Sequence, residues 1–330
     1  MRLLILLTLV ASAYACPLNE GISAKKVAVG SNFACGLLSN GTITCWGACS
    51  VASVCSPPSL TNPVALSAAK NHKVMCAIDD TGVVCWGDMS QWTVPTPTLS
   101  NPTHIDMGHQ DACALDDNGV HCWGRNFRGT ATIPALTNPT DVSIGELHAC
   151  AIHDGGVECW GFNNAALYDI PAVVNPTRIF VNHRSACVVD DNGLTCWGMS
   201  VSGVAGSEPD LTGIKHVAIS DNLACAHHDG GITCWGANLA YAGPMPDSVY
   251  AFSYDMYNLY QQCVVSPIGF ECTHYNPNAV YPPPSISCQP CPAGETSVEG
   301  STLCAPLDLS SFAADDLRSA YAQKVGLQCS

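Results

Sequence analysis

Apolar residues come in short runs broken by polar ones, and one such pattern returns seven times along the chain. Residues 112–124 read ACALDDNGVHCWG, 149–161 ACAIHDGGVECWG, 186–198 ACVVDDNGLTCWG and 224–236 ACAHHDGGITCWG. Upstream copies read MCAIDDTGVVCWG at 75–87 and ACGLLSNGTITCWG at 34–47, and QCVVSPIGFECTH from Gln262 is a decayed seventh. The first cysteines, Cys35, Cys76, Cys113, Cys150, Cys187, Cys225 and Cys263, recur about every 40 residues, a period of propeller blades. A second shared block precedes copies two to five (LTNPVAL, LSNPTHI, LTNPTDV, VVNPTRI), followed by a β-like run ending in or near glycine. One unit thus predicts strand, loop, strand, tight turn, strand and a polar Pro-containing loop. Nothing inside it shows helical spacing of apolar residues.

The hairpin has a readable register. If Cys113 opposes Cys122, Ala114 faces His121, Leu115 faces Val120, and the loop is Asp116-Asp117-Asn118-Gly119. Gly119 supplies the left-handed residue such a turn needs, and Asp and Asn side chains bond nearby backbone. In copy one an extra residue gives Ser39-Asn40-Gly41 without moving the cysteine pairing. Opposed cysteines on neighbouring strands can meet disulfide geometry. The expected pairs are Cys35–Cys45, Cys76–Cys85, Cys113–Cys122, Cys150–Cys159, Cys187–Cys196, Cys225–Cys234 and Cys263–Cys272, with Cys49–Cys55 in the insertion after copy one. Each hairpin bond is worth roughly 2–3 kcal/mol in the chain-entropy account. Pairing between copies is the alternative.

The expected fold class is all-β: a seven-bladed β-propeller with hairpin disulfides, plus a small disulfide-rich C-terminal tail. Bare strand edges penalise an open ring, so the chain ends must meet. Cys16-Pro17-Leu18 matches the Ile133-Pro134-Ala135-Leu136 linker type and is the candidate clasp for the last blade. A linear solenoid is the structural alternative.

Composition sets the compartment. Arg2, the apolar run 3–10 and Ala13-Tyr14-Ala15 have the anatomy of a signal peptide. The expected organisation is a signal peptide at 1–15, the propeller at 16–275, a Pro-rich spacer at 276–287, and a cysteine-rich module with a short helix at 288–330. Twenty-one cysteines imply an oxidising, secreted location. No later run is apolar enough for a membrane span. A net charge of −15 argues against nucleic acid as partner.

These motifs carry a resemblance. The pattern (V/I)xxG…xCAL…DGxVxCWG resembles the repeats of the regulator of chromosome condensation superfamily, and Arg125-Asn126-Phe127-Arg128-Gly129 after Trp-Gly resembles its WGxNxxG stretch. The cysteine pair and shorter period are more similar to crinkly-type repeats of plant receptor-kinase ectodomains. That resemblance implies seven blades followed by a tumour-necrosis-factor-receptor-like module. CQPCPAGETSVEGSTLC at 288–304 resembles ephrin-receptor-like modules, although Leu307 stands where a further cysteine is usual. Copy seven lacks Trp-Gly, and the chain has no kinase sequence. A secreted bacterial propeller that inhibits β-lactamases has repeats of similar length, so fold alone does not choose a partner.

Catalytic motifs are missing: there is no HExxH, Gly-x-Ser-x-Gly or Walker loop. No metal and no cofactor is expected; a zinc site from Cys288, Cys291, Cys304 and Cys329 is disfavoured in a secreted chain. Recurrent Asp pairs at the turns read as structural. The residue four before each first cysteine suggests an axial polar ring of His72, His109, Glu146, His183 and Asp221, with loop hydrogen bonding as the plainer reading. Loops after Trp-Gly do not repeat and carry Trp92, Arg125, Phe127, Arg128, Phe162, Asn163, Met199 and Tyr241 as candidate ligand-binding residues. Packing between blades is the alternative for Trp92 and Phe162. Asn40 heads the one usable glycosylation sequon, at a hairpin tip. The expected function is a secreted, non-enzymatic module recognising a protein, peptide or glycan. A matrix or oligomerising component and a secreted enzyme inhibitor are the alternatives.

Overall fold

A computed structural model describes residues 14–17, 24–30, 33–47, 54–70, 72–162, 165–199, 203–220, 223–237, 251–254, 261–266 and 269–274. After β1 (Tyr14–Pro17) the strands come in threes: β2 (Ala24–Gly30), β3 (Phe33–Leu38), β4 (Ile43–Gly47); β5 (Ala65–Ala68), β6 (Val74–Asp79), β7 (Gly82–Gly87). Next are β8 (His104–Met107), β9 (Asp111–Asp116), β10 (Gly119–Gly124); β11 (Asp141–Ile144), β12 (His148–His153), β13 (Gly156–Gly161). A short helix, α1 (Ala165–Tyr168), precedes β14 (Arg178–Val181), β15 (Ser185–Asp190), β16 (Gly193–Gly198). The last sets are β17 (His216–Ile219), β18 (Leu223–His228), β19 (Gly231–Gly236) and β20 (Ala251–Tyr254), β21 (Gln261–Ser266), β22 (Gly269–His274).

Each set is one antiparallel sheet, and β1 adds a fourth strand to the last, pairing Cys16 with Phe270. The first strands of successive sheets neighbour one another in chain order, and β20 returns to β2. The clasp anticipated at Cys16-Pro17 therefore exists as a strand pairing. It starts at Tyr14, two residues before the expected signal cleavage.

The hairpin register is the one the cysteines imply. Cys113 faces Cys122, Ala114 faces His121 and Leu115 faces Val120. Disulfides Cys35–Cys45, Cys76–Cys85, Cys113–Cys122, Cys150–Cys159, Cys187–Cys196 and Cys225–Cys234 are all formed, with Cα separations of 4.0–4.1 Å. Cys263 is directly opposite Cys272 in register. Cys55 is disulfide-bonded, while Cys49, its expected partner, lies outside the described residues. Cys288, Cys291, Cys304 and Cys329, with the spacer and the tail, also lie outside them.

Why the middle strands are buried almost throughout follows from where they sit. β6 and β9 are buried at every position, because both faces of the sheet are covered by neighbouring sheets. An alanine beside the first cysteine of copies one to six leaves little bulk between the sheets. Each disulfide then packs on the next sheet: Cys113 and Cys122 lie with Val142, Ile144, Ala151 and Trp160. Cys150 and Cys159 lie likewise with Ile179, Val181, Val188 and Trp197. The indole N–H groups of Trp86, Trp160, Trp197 and Trp235 donate to the backbone oxygens of Val54, Thr130, Leu167 and Val204 in the preceding loops. The Trp-Gly glycine is obligatory: Gly124 has φ +121°, and a Cβ there would lie 2.4 Å from the Gln110 carbonyl oxygen.

Strand direction separates two faces. Hairpin tips and Asn-Pro linkers lie at one end (the turn face). Loops joining first to second strands, and those leaving Trp-Gly, lie at the other (the loop face). On the turn face one lock repeats. Asn62, Asn101, Asn138 and Asn175 take left-handed φ of 49–52°. Their side-chain amides donate to Asp80, Asp117, Asp154 and Asp191 at 2.5–2.6 Å. The first Asp of each Asp-Asp pair does a different job. Asp116 accepts from the backbone N–H of Ser100 (2.8 Å) and of Asn118 (2.7 Å). Burial pushes its pKa up, but those amides and the nearby His121 outweigh it and hold the carboxyl below its usual value. The recurrent Asp pairs are thus part of the scaffold.

Candidate functional site

The loop face differs from copy to copy. After β10 the chain is pinned by side chains. Asp111 accepts from the Asn126 N–H (2.6 Å) and the Thr130 hydroxyl (2.7 Å), and the Asn126 side-chain oxygen accepts from the Ala131 N–H (2.9 Å). Asn126 is left-handed, with φ +54°. This rigid turn pushes Phe127 outward to 65% exposure. The Arg128 guanidinium carbon lies 4.6 Å from the Phe127 ring centre and 5.0 Å from that of Phe162, and Arg125 lies 5.0 Å from Phe127. Arg125, Phe127, Arg128 and Phe162 therefore form one cation–aromatic ladder across two neighbouring sheets. Such contacts are worth only about 0.5–1 kcal/mol each at an exposed site, too little to explain an open phenylalanine by stability.

Beside the ladder lies a polar cluster. Arg125 donates to the Gln110 side-chain oxygen (2.6 Å), and the Gln110 amide donates to Gln91 (3.1 Å) and contacts the His72 ring. The His72 and His109 rings meet edge to face at 5.1 Å. Burial, then the positive field of His72, Arg125, His183 and Arg128, brings His109 down to about 4. His183 and Glu146 approach to 3.4 Å. Four of the five expected axial residues thus fall into two pairs, His72 with His109 and Glu146 with His183. Asp221 lies outside the described residues, as do Asn163 and Tyr241 among the expected binding residues.

Trp92 does not join the ladder. It is half-buried with Met89 and Val94 against the apolar cluster around Trp123, because Val94 forms a bridge to Gly124 that folds this loop inward. Met199 is half-buried just after β16, its amide donating to Arg184. Asn40 is exposed at the β3–β4 tip, its side-chain oxygen accepting from the Thr42 N–H. Among the described residues, no three His, Cys, Asp or Glu side chains are grouped to hold a metal.

Two residues escaped the sequence reading. The Lys70 ammonium donates to the carbonyls of Ile144 (3.2 Å) and Val181 (2.9 Å), reaching two sheets beyond its neighbour. Desolvation lowers its pKa, partly offset by Asp106. The signal was loop length: Ala69 and Val74 close a β5–β6 loop two residues longer than Gly108–Asp111 does. Part of the extra spacing after copy one is therefore here and not beside Cys49 and Cys55. His148 is fully buried, with neither ring nitrogen partnered among the described residues, and burial, then Lys70 and His183, brings it to about 3. In the repeat its position is held by Phe33 and Leu223, so a histidine there was a visible departure.

Residues 24–48 match the Regulator of chromosome condensation (RCC1) repeat. The fold is shared with the entire ectodomain of the Physcomitrella patens receptor kinase CR4 (TM-score 0.60, 20% identity, 83% of this chain and 81% of that one). It is shared too with the CRINKLY WD40 ectodomain of the Arabidopsis thaliana receptor kinase ACR4 (TM-score 0.56, 22% identity, 74% and 91%). Prp20p from Saccharomyces cerevisiae, whose binding to Gsp1p and histones was studied with its structure, is similar at TM-score 0.54 and 16% identity, covering 76% and 82%. No curated protein sequence matches the chain. The fold is thus an RCC1-like propeller, built from three-stranded sheets with a disulfide in each described hairpin of copies one to six.

Proposed function

We propose that this protein is a secreted, non-enzymatic binding module that recognises a protein, peptide or glycan through the loop face of a seven-bladed propeller. The observation that carries the reading is the exposed Arg125–Phe127–Arg128–Phe162 ladder, held on loops pinned by Asp111 and Asn126. Arginine and aromatic residues on a pre-ordered surface are the usual anchors of recognition, because little entropy is lost on binding. Hairpin disulfides and the likeness to two receptor ectodomains support an extracellular setting. The ladder is cationic and aromatic on a chain of net charge −15, which favours an acidic partner surface.

The test is a binding screen of the secreted chain against extracellular proteins and a glycan array, run beside a Phe127→Ala/Arg128→Ala double variant. Binding that weakens at least ten-fold in the variant, with an unchanged thermal midpoint, supports the reading. Binding that is undiminished in the variant places recognition elsewhere. One observation favours a second reading, a linked assembly: 21 cysteines are odd in number, so one at least cannot pair within the chain. A non-reducing gel of the secreted protein tests it, a covalent oligomer being the expected result.

A further inference from the structure

The inner strands enclose a cavity of about 410 Å³ along the axis, on the side of the turn face. Its lining contradicts the overall charge. The chain has 12 Lys and Arg against 27 Asp and Glu. Lys25, Lys26, Lys70, Arg178 and Lys215 nevertheless line this one cavity, and Asp106 is the single carboxylate among its lining residues.

That carboxylate is already used. Asp106 accepts from the Ser143 hydroxyl (2.6 Å), the Ile144 N–H (3.0 Å) and the Met107 N–H (2.9 Å). Arg178 spends its Nε–H on Asp141 (3.2 Å), which also takes the Ile179 N–H (2.9 Å). Lys215 meets Asp229 at 3.3 Å, both of them exposed, an arrangement that stabilises little. Among the described residues, neither Lys25 nor Lys26 meets a carboxylate. Desolvation, then repulsion from Arg178, lowers the Lys26 pKa. Lys70 closes the inner end through its two cross-ring carbonyl bonds. An acidic protein has thus gathered mutually repelling cations around one space, and at its mouth Lys25 and Lys26 have no carboxylate partner among the described residues. Low-dielectric walls focus such a field on whatever anion enters.

We propose that the axial cavity binds a small polyanionic ligand bearing carboxylate, sulfate or phosphate groups, which enters from the turn face between Lys25, Lys26, Arg178 and Lys215. The volume is that of a small-molecule site. The site is independent of the ladder, which lies on the opposite face.

The experiment is isothermal titration of the full secreted chain at low ionic strength with citrate, inorganic sulfate, pyrophosphate and a sulfated disaccharide. These probes separate the three anion chemistries. At least one is expected to bind tighter than about 1 mM, and to weaken with added salt. Lys25→Gln/Lys26→Gln is expected to weaken that binding ten-fold or more, Lys26→Arg to retain it, and Arg128→Ala to leave it unchanged. Failure of every probe to bind tighter than about 1 mM overturns the proposal. So does equal binding by the Lys25→Gln/Lys26→Gln variant. Loss of binding in Arg128→Ala also overturns it, by moving the site to the loop face. If the double variant does not fold, Lys215→Gln, at an exposed position, carries the same comparison.

Discussion

The turn face and the loop face are made by the same strands, yet they obey different rules. On the turn face the same atoms meet in four linkers: a left-handed Asn donates to Asp80, Asp117, Asp154 or Asp191 at the hairpin tip. Where copy six replaces that Asn by Gly213, the chain keeps the left-handed backbone (φ +64°) and gives up the side chain. On the loop face backbone bonds and the indole bonds recur, but the outward-facing side chains do not. Phe127 is pushed out by its Asp111-pinned turn, whereas Trp92, at a comparable place in the preceding copy, is drawn in by the Val94–Gly124 bridge. Repetition marks what the scaffold needs, and departure from it marks what is available for recognition. A departure can also be costly, as with Trp123, whose buried indole N–H has no partner among the described residues.

The largest expected effect lies under the loop face. His148 is held neutral down to about pH 3, while in the unfolded chain it protonates near 6.5. A depressed histidine makes the folded state lose stability as pH falls from 6.5 towards 3, because the unfolded chain then binds the extra proton. His148→Leu, the residue copy six carries as Leu223, is expected to be no less stable at neutral pH. At about pH 4 it should exceed the wild type by roughly 3 kcal/mol in urea unfolding. Parallel pH profiles for the two proteins are expected to part below about pH 6.5, and coincident profiles would show that this departure carries no stability cost.

Next comes the scaffold shared by both faces. Replacing Cys113 and Cys122 by Ala is expected to cost about 2–3 kcal/mol, read from the denaturant midpoint. On the turn face, Asp116→Ala strands the N–H groups of Ser100 and Asn118 and is expected to cost about 2 kcal/mol. Asp116 is depressed, so its contribution is present above about pH 4 and fades as pH falls through the lower folded value. Neither variant should change ligand affinity at a temperature where it stays folded.

The smallest stability effect belongs to the ladder. Arg128→Ala is expected to shift stability by no more than about 0.5 kcal/mol by calorimetry while weakening loop-face binding. A stability loss of about 2 kcal/mol instead would make the ladder a structural staple and erase the contrast between the faces.

Much of this molecule could be read from its residues in order. The cysteine spacing and the turn glycine fix the hairpin register, because a disulfide within a hairpin requires direct opposition and Gly119 accepts the positive φ that the turn demands. The recurrence of Asp at the same turn in several copies marked it as structural, and the Pro-linked N-terminal segment foretold the pairing of β1 with β22. These are local or periodic facts, set within one repeat or by comparing repeats. The tertiary structure alone decided which departures meet. Phe127 and Phe162 stack on Arg128 because adjacent sheets bring separate loops side by side, and Lys70 reaches Val181 only because the inner strands neighbour one another around an axis. The cationic cavity has the same origin. Lys25, Arg178 and Lys215 are scattered along an acidic chain and become neighbours only when the first strands are gathered around a common space.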